Sequence, residues 1–310
     1  MGFFKRSKSQ NFDIYGTHAY FVPGVGDMFI LLALMLAGSL LGGVVTAAFL
    51  ICGLPLGQDF SFLLAYPMMF IPPMVYASYM GRRNLMFDKG YALDSNNFAP
   101  RSGGVTAVVC MIAIVACECL MEPVNEAMPP MPEWLENMLK SLTTGNVWIN
   151  FICVSLFAPI FEEWLCRGMI LRGLLNSKKS DGDRLMSPAA AIIVSALFFA
   201  VIHLNPWQAI NAFALGLLMG YVYYKTGSLK MTMLMHFTNN TLALVLAQSL
   251  KDIEGLDPVN TSLKDVMSPW LYALIWVLAL AIMVGCFYYF RSIEELRPEG
   301  NSDIVEPSAE

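Results

Sequence analysis

Residues 147–169 read VWINFICVSLFAPIFEEWLCRGM. At 1.5 Å per residue a helix of this length covers about 35 Å, enough to cross a hydrocarbon layer about 30 Å thick. Glu162, Glu163 and Arg167 sit inside the run. An ionisable group at that depth costs about 2.5–3.5 kcal/mol on insertion scales, so each needs a partner or a purpose. The stretch therefore predicts a membrane-spanning helix that carries polar machinery.

Seven further runs have the same character: 28–52, 61–80, 103–121, 188–204, 207–224, 229–249 and 269–290. They are long and lack period-two alternation, which indicates helices and excludes barrel strands. The fold class expected is all-α, a polytopic membrane protein of about eight transmembrane helices. Composition agrees. Of 310 residues 56% are hydrophobic and 14% charged, against about 45–50% and about 25% in soluble globular proteins. Too few charges remain to cover a soluble surface, which sets aside a soluble enzyme, a disordered chain and a nucleic-acid binder.

Lys and Arg orient the spans. With the N-terminus inside, sixteen of the nineteen fall on the cytoplasmic side, including Arg82, Arg83, Arg101, Arg167, Arg172, Lys178, Lys225 and Lys230. The other side keeps Lys140, Lys251 and Lys264. This asymmetry places both termini in the cytoplasm. The domain reading is a cytoplasmic segment 1–27, a transmembrane helical domain 28–291, and an acidic cytoplasmic tail 292–310 expected to be disordered.

Met1-Gly2 lacks the Ser or Thr of a myristoylation signal, because Arg6 stands there. The first apolar run reads as a retained span, not a cleaved leader. Residues 122–146 contain the amphipathic stretch Trp134–Lys140, expected as a short helix on the outer leaflet. The seven cysteines lie in or beside apolar runs without paired spacing, which argues against disulfides and thiolate zinc sites.

Polar residues cluster within the spans. Glu163 and Arg167 stand at i,i+4 in the favourable order for an ion pair. Glu162, about 100° around the helix, has no partner on its own helix and should face the bundle interior. Phe199 and His203 are one turn apart, as are His236 and Asn240. Glu118 has a blander reading, reaching toward the outer interface. Interhelical hydrogen bonding alone could account for His and Asn in spans. Two of only three histidines beside an uncompensated carboxylate and an amide favour acid–base chemistry instead. Depth fits in part: Glu162 and His236 lie about 10 and 11 Å from the cytoplasmic ends of their spans. His203 lies about 22 Å along its own span, which requires a tilted helix or residues 188–194 projecting below the membrane.

These residues closely resemble the three motifs of the CPBP family, the CAAX-protease and bacteriocin-processing (Abi) intramembrane endopeptidases. They are the run API-x-EE-x-x-x-R-G at 158–168, Phe199…His203 and His236…Asn240, with Thr226-Gly227-Ser228-Leu229 also similar. The resemblance covers roughly residues 155–245. It implies a membrane endopeptidase like the type II CAAX prenyl proteases, with Glu162 as the base that activates water and His203 helping to bind that water. His236 and Asn240 would stabilise the oxyanion, and Glu163, Arg167 and Phe199 would support them. A carboxylate removed from water gains basicity, and one oxyanion donor can be worth about 10²–10³ in rate.

A metal-free, glutamate-dependent mechanism is favoured, with no cofactor. The metal-dependent alternative would bind Zn²⁺ through Glu162, His203 and His236, although H-E-x-x-H is absent. The expected partners are a protein or peptide substrate, lipidated or not, and the lipid bilayer. A bacterial host would put the chain in its plasma membrane. Two rival functions are a non-catalytic immunity or scaffold protein and a proton-coupled transporter. Packing alone would accept Gln or Ser in the quartet, and no inverted halves with matching polar breaks are seen.

Overall fold

The computed structural model describes residues 16–54, 57–85, 90–179, 182–251, 253–257, 260–294 and 304–305. Eleven helices are named here: α1 Val25–Ile51, α2 Gln58–Met68, α3 Ile71–Asn84, α4 Gly103–Glu126, α5 Glu133–Thr144, α6 Val147–Asn176, α7 Pro188–Ile202, α8 Pro206–Thr226, α9 Leu229–Leu250, α10 Leu263–Val266 and α11 Pro269–Arg291. The architecture is all-α apart from a two-residue antiparallel ladder, β1 Gly90–Tyr91 with β2 Ile304–Val305, in the register Gly90↔Val305. Part of the acidic tail is therefore paired. The rest of it, and the Met1-Gly2 motif, lie outside the described residues.

Among the described residues five helices are long and apolar enough to cross a membrane: α1, α2–α3 taken together, α4, α6 and α11. The remaining three expected spans are helical but depart from that pattern for visible reasons. α7 has fifteen residues, about 22 Å. α8 and α9 are longer, but Gln208, Asn211, His236, Asn239 and Asn240 dilute their apolar character. Large apolar side chains project outward from the crossing helices, with Leu40 on α1 74% exposed and Trp270 on α11 87% exposed. In water such a surface would aggregate, whereas in hydrocarbon it is solvated.

α6 sits at the centre. Its C-terminal part is buried on all sides, from Glu163 to Leu174, and α2, α7 and α9 pack against the helix. α7 and α8 form a tight hairpin. Leu204 takes a left-handed φ of 52°, and Asn205 caps α8 by accepting from the amides of Trp207 and Gln208. This turn sets His203 at the tip of the hairpin. α9 starts just after Gly227, which closes α8 at φ 64°. The Asp94 carboxylate accepts from the Lys230 amide and the Ser228 hydroxyl, fixing the entry of the helix that carries His236.

The structure changes the meaning of three basic residues. Arg167, Arg172 and Lys225 are buried, so they mark no membrane surface. Arg172 donates to five backbone carbonyls, of His18, Ala19, Phe21, Tyr91 and Gly168. It thereby pins the turn Gly16–Tyr20 into the core, so this part of the segment 1–27 is packed against the helices. The amphipathic stretch is indeed a helix, α5, with Leu135 buried and Trp134 exposed. All seven cysteines are free, and Glu118 is partly buried.

Candidate active site

Pro159 shapes the helix on which the site is built. Proline has no amide hydrogen and its ring presses on the carbonyl one turn earlier. Here α6 relaxes into π winding over Phe151–Phe157, returns to α over Ala158–Glu163, and is π again over Trp164–Leu171. The Ala158 amide bonds the Cys153 carbonyl, five residues back. Val154 would then need the amide of residue 159, which is proline. Its carbonyl instead accepts from Asn240 Nδ2 of α9 at 2.8 Å. Single π turns inside α-helices recur at functional sites.

Glu163 and Arg167 form a fully buried pair, with Arg167 Nη1 donating to Glu163 Oε1 at 2.7 Å. Arg167 Nη2 also donates to the Gly216 carbonyl of α8 at 3.2 Å. The guanidinium lies over the Phe199 ring, 4.5 Å from its centroid. The same Glu163 oxygen accepts from His236 Nδ1 at 3.0 Å. A carboxylate only accepts, so Nδ1 carries the hydrogen, and in the neutral imidazole Nε2 presents a lone pair.

That lone pair faces Glu162. His236 Nε2 is 4.0 Å from Glu162 Oε2, beyond direct hydrogen-bond range. Oε2 is buried and accepts no hydrogen bond from the described residues. The other oxygen, Oε1, accepts from the Tyr66 hydroxyl of α2 at 2.5 Å. Each of these adjacent carboxylates keeps a buried Oε2 with no hydrogen bond from the described residues; they differ in the partners of Oε1, which in Glu163 are Arg167 and His236 and in Glu162 the Tyr66 hydroxyl.

His203 closes the other flank. Its Nδ1 donates to the Phe199 carbonyl at 2.7 Å, which again leaves Nε2 as an acceptor in the neutral ring. The Phe199 ring meets His203 edge-on at 4.9 Å and His236 edge-on at 5.6 Å. One aromatic ring thus links the two histidines. Among the described residues no group of three or more His, Cys, Asp or Glu is close enough to hold a metal ion. Glu162, His203 and His236 are not gathered as a zinc site in this structure.

Glu162, Glu163, Arg167, Phe199, His203, His236 and Asn240 all fall within one segment that matches a known family model. Residues 144–242, about a third of the chain, match the Type II CAAX prenyl endopeptidase Rce1-like family. No curated protein and no solved structure matches the chain. The Rce1-like family is one of proteases, and its match takes in all three motifs. Two residues at or near the site carry no motif signal. Tyr66 lies far outside the Rce1-like segment, in a run where a tyrosine reads as ordinary apolar filling. His18 is buried, bonding Ser78 through Nε2 and accepting from the Trp164 indole through Nδ1, beside but not within the Glu162 cluster.

Proposed function

We propose that this protein is an intramembrane endopeptidase in which Glu162 activates the attacking water. The observation that carries the reading is the uncommitted Glu162 Oε2 facing His236 Nε2 across 4.0 Å. That gap suits one bridging water. Such a water donates one hydrogen to each acceptor and keeps a lone pair for the scissile carbonyl carbon. As its oxygen bonds to that carbon, Glu162 takes the proton; the C–N bond then breaks and the proton passes to the departing amine. Glu163, bonded to His236 Nδ1, fixes the tautomer and steadies the ring as it gains positive character, the role a carboxylate plays behind a catalytic histidine.

The resemblance to CAAX-type proteases assigns water binding to His203 and oxyanion stabilisation to His236. The hydrogen bonding supports the reverse for His236, whose Nε2 is the acceptor beside Glu162. Asn240 uses one amide hydrogen on Val154, so its second is the candidate oxyanion donor. His203 donates to an oxyanion only as the imidazolium. The metal-free reading rests on the same donor set, and a chelator arm tests it.

The eight-span topology with cytoplasmic termini belongs to this proposal, as does cleavage near the cytoplasmic side. The substrate class is a peptide, and the apolar outer faces of the helices suit a lipidated C-terminus that arrives through the bilayer. The decisive experiment incubates the purified protein in detergent with a fluorescent peptide ending in a prenylated cysteine and three further residues, and with its unprenylated counterpart. Wild type should cleave the prenylated peptide, and Glu162→Gln should lower kcat by at least about 10²-fold. No cleavage of either peptide by wild type would sink the endopeptidase reading. Activity lost to a chelator and restored by Zn²⁺ would replace the glutamate-only mechanism.

A further inference from the structure

We propose that Tyr66 is a positioning residue for Glu162, a role that rests on the endopeptidase reading above. Its hydroxyl donates to Glu162 Oε1 at 2.5 Å, within the range of an O–H···O hydrogen bond. The final torsion of a glutamate is broad and roughly two-fold, so an unheld carboxylate turns freely. Anchoring one oxygen removes that freedom and leaves the other, Oε2, aimed at His236.

Two independent features hold the phenol in place. The first is an aromatic ladder. Tyr66 meets Phe62 edge-on at 5.6 Å and lies 6.0 Å from Phe70, each four residues away on the same face. Phe70 in turn stacks on Phe161 at 5.2 Å with the planes 14° apart. Phe161 immediately precedes Glu162, so the ladder ties the donor's helix to the acceptor's backbone.

The second is the closeness of α1 to α2. Gly38 and Gly42 form a small-xxx-small pair, the pattern that lets membrane helices approach closely. A Cβ on Gly38 would lie 2.6 Å from the Met69 carbonyl oxygen and 2.7 Å from that of Met68. A Cβ on Gly42 would lie 3.1 Å from Ala65. Ala65, Met68 and Met69 bracket Tyr66, so the glycine notch sets how far α2 stands from α1 at the level of the phenol. A bulky residue in the notch must displace the backbone that carries Tyr66.

The test measures initial rates against substrate concentration for purified wild type, Tyr66→Phe, Gly42→Val, the double variant and Glu162→Gln, with melting curves for each. Rates are taken well below every melting midpoint, so that the folded fractions match. Tyr66→Phe removes one oxygen and should lower kcat by roughly 10- to 100-fold, the scale of a misplaced catalytic group, with KM unchanged. Gly42→Val should lower kcat in the same way. The double variant should be no slower than the slower single one, because both act on one hydrogen bond. Wild-type kcat in Tyr66→Phe, a loss confined to KM, or additive losses in the double variant would each overturn the role of Tyr66. If wild type cleaves, Glu162→Gln does not and Tyr66→Phe keeps full kcat, only this inference fails. If wild type does not cleave, the endopeptidase reading itself fails.

Discussion

Glu162 and Glu163 are neighbours in the chain with opposite assignments, and their surroundings divide the roles. Glu163 has an i,i+4 arginine that the sequence already displays, and burial makes that pair obligatory. Replacing Glu163 by Gln leaves Arg167 buried without a counter-charge, a change that typically costs about 3–5 kcal/mol. We expect Glu163→Gln to lower the melting midpoint in detergent sharply. The double replacement Glu163→Leu with Arg167→Met should recover most of that stability. It should not recover activity, because His236 Nδ1 would still lack its carboxylate partner. Recovery of both would reduce Glu163 to a pure charge partner of Arg167. His236 and Asn240 were legible as a pair on one helix face, but their targets were not. One bonds Glu163 and the other caps Val154, and both acceptors come from a helix about 70 to 90 residues earlier in the chain.

On the scale of elements, α6 gives two of its carbonyls to side chains of α7 and α9. Val154 accepts from Asn240 of α9, and Cys166 accepts from Ser195 of α7 at 2.9 Å. Both carbonyls lie in its π segments, where the helical ladder is loosened. Pro159 accounts for the first, and this predicts a specific coupling. Asn240→Ala should destabilise the protein by about 1 kcal/mol, the cost of leaving a partly buried carbonyl unsatisfied. In a Pro159→Ala background, where residue 159 regains its amide hydrogen, the same substitution should cost clearly less. Equal losses in melting midpoint in the two backgrounds would show that Asn240 does not serve the proline-orphaned carbonyl. Independently, an Asn240→Ala enzyme with full kcat would remove its oxyanion role.

For the whole molecule, the apolar runs were legible as helices because their length and lack of alternation leave few alternatives in hydrocarbon. Among the described residues five are long and apolar enough to cross a membrane, and two of the three that fall short, α7 and α9, carry the histidines of the site. α7 is short because the chain turns at Leu204–Asn205 to present His203, and α9 is diluted by the polar residues it delivers. The topology proposed above puts the α9–α11 connection outside and the end of α11 inside. Single cysteines at Lys264→Cys and Ser292→Cys, in a background with the native cysteines replaced, should react with an impermeant maleimide from opposite sides of sealed vesicles. Labelling of both from one side would refute the count of eight.

The sequence by itself determined the solvent of this protein, its helical class and the short list of polar residues that a bilayer tolerates only with cause. Local periodicity sufficed for these, since hydropathy, i,i+4 spacing and motif order are properties of single segments. The tertiary structure alone decided which of those residues meet. It gave Glu162 and Glu163 different partners, turned Arg172 from a membrane-face charge into a buried anchor, and brought Tyr66, 96 residues away, onto the carboxylate proposed as the base. No spacing along one helix encodes such a meeting. It depends on how closely α1 and α2 pack and on where a proline loosens α6, and both are settled by contacts between segments distant in the chain.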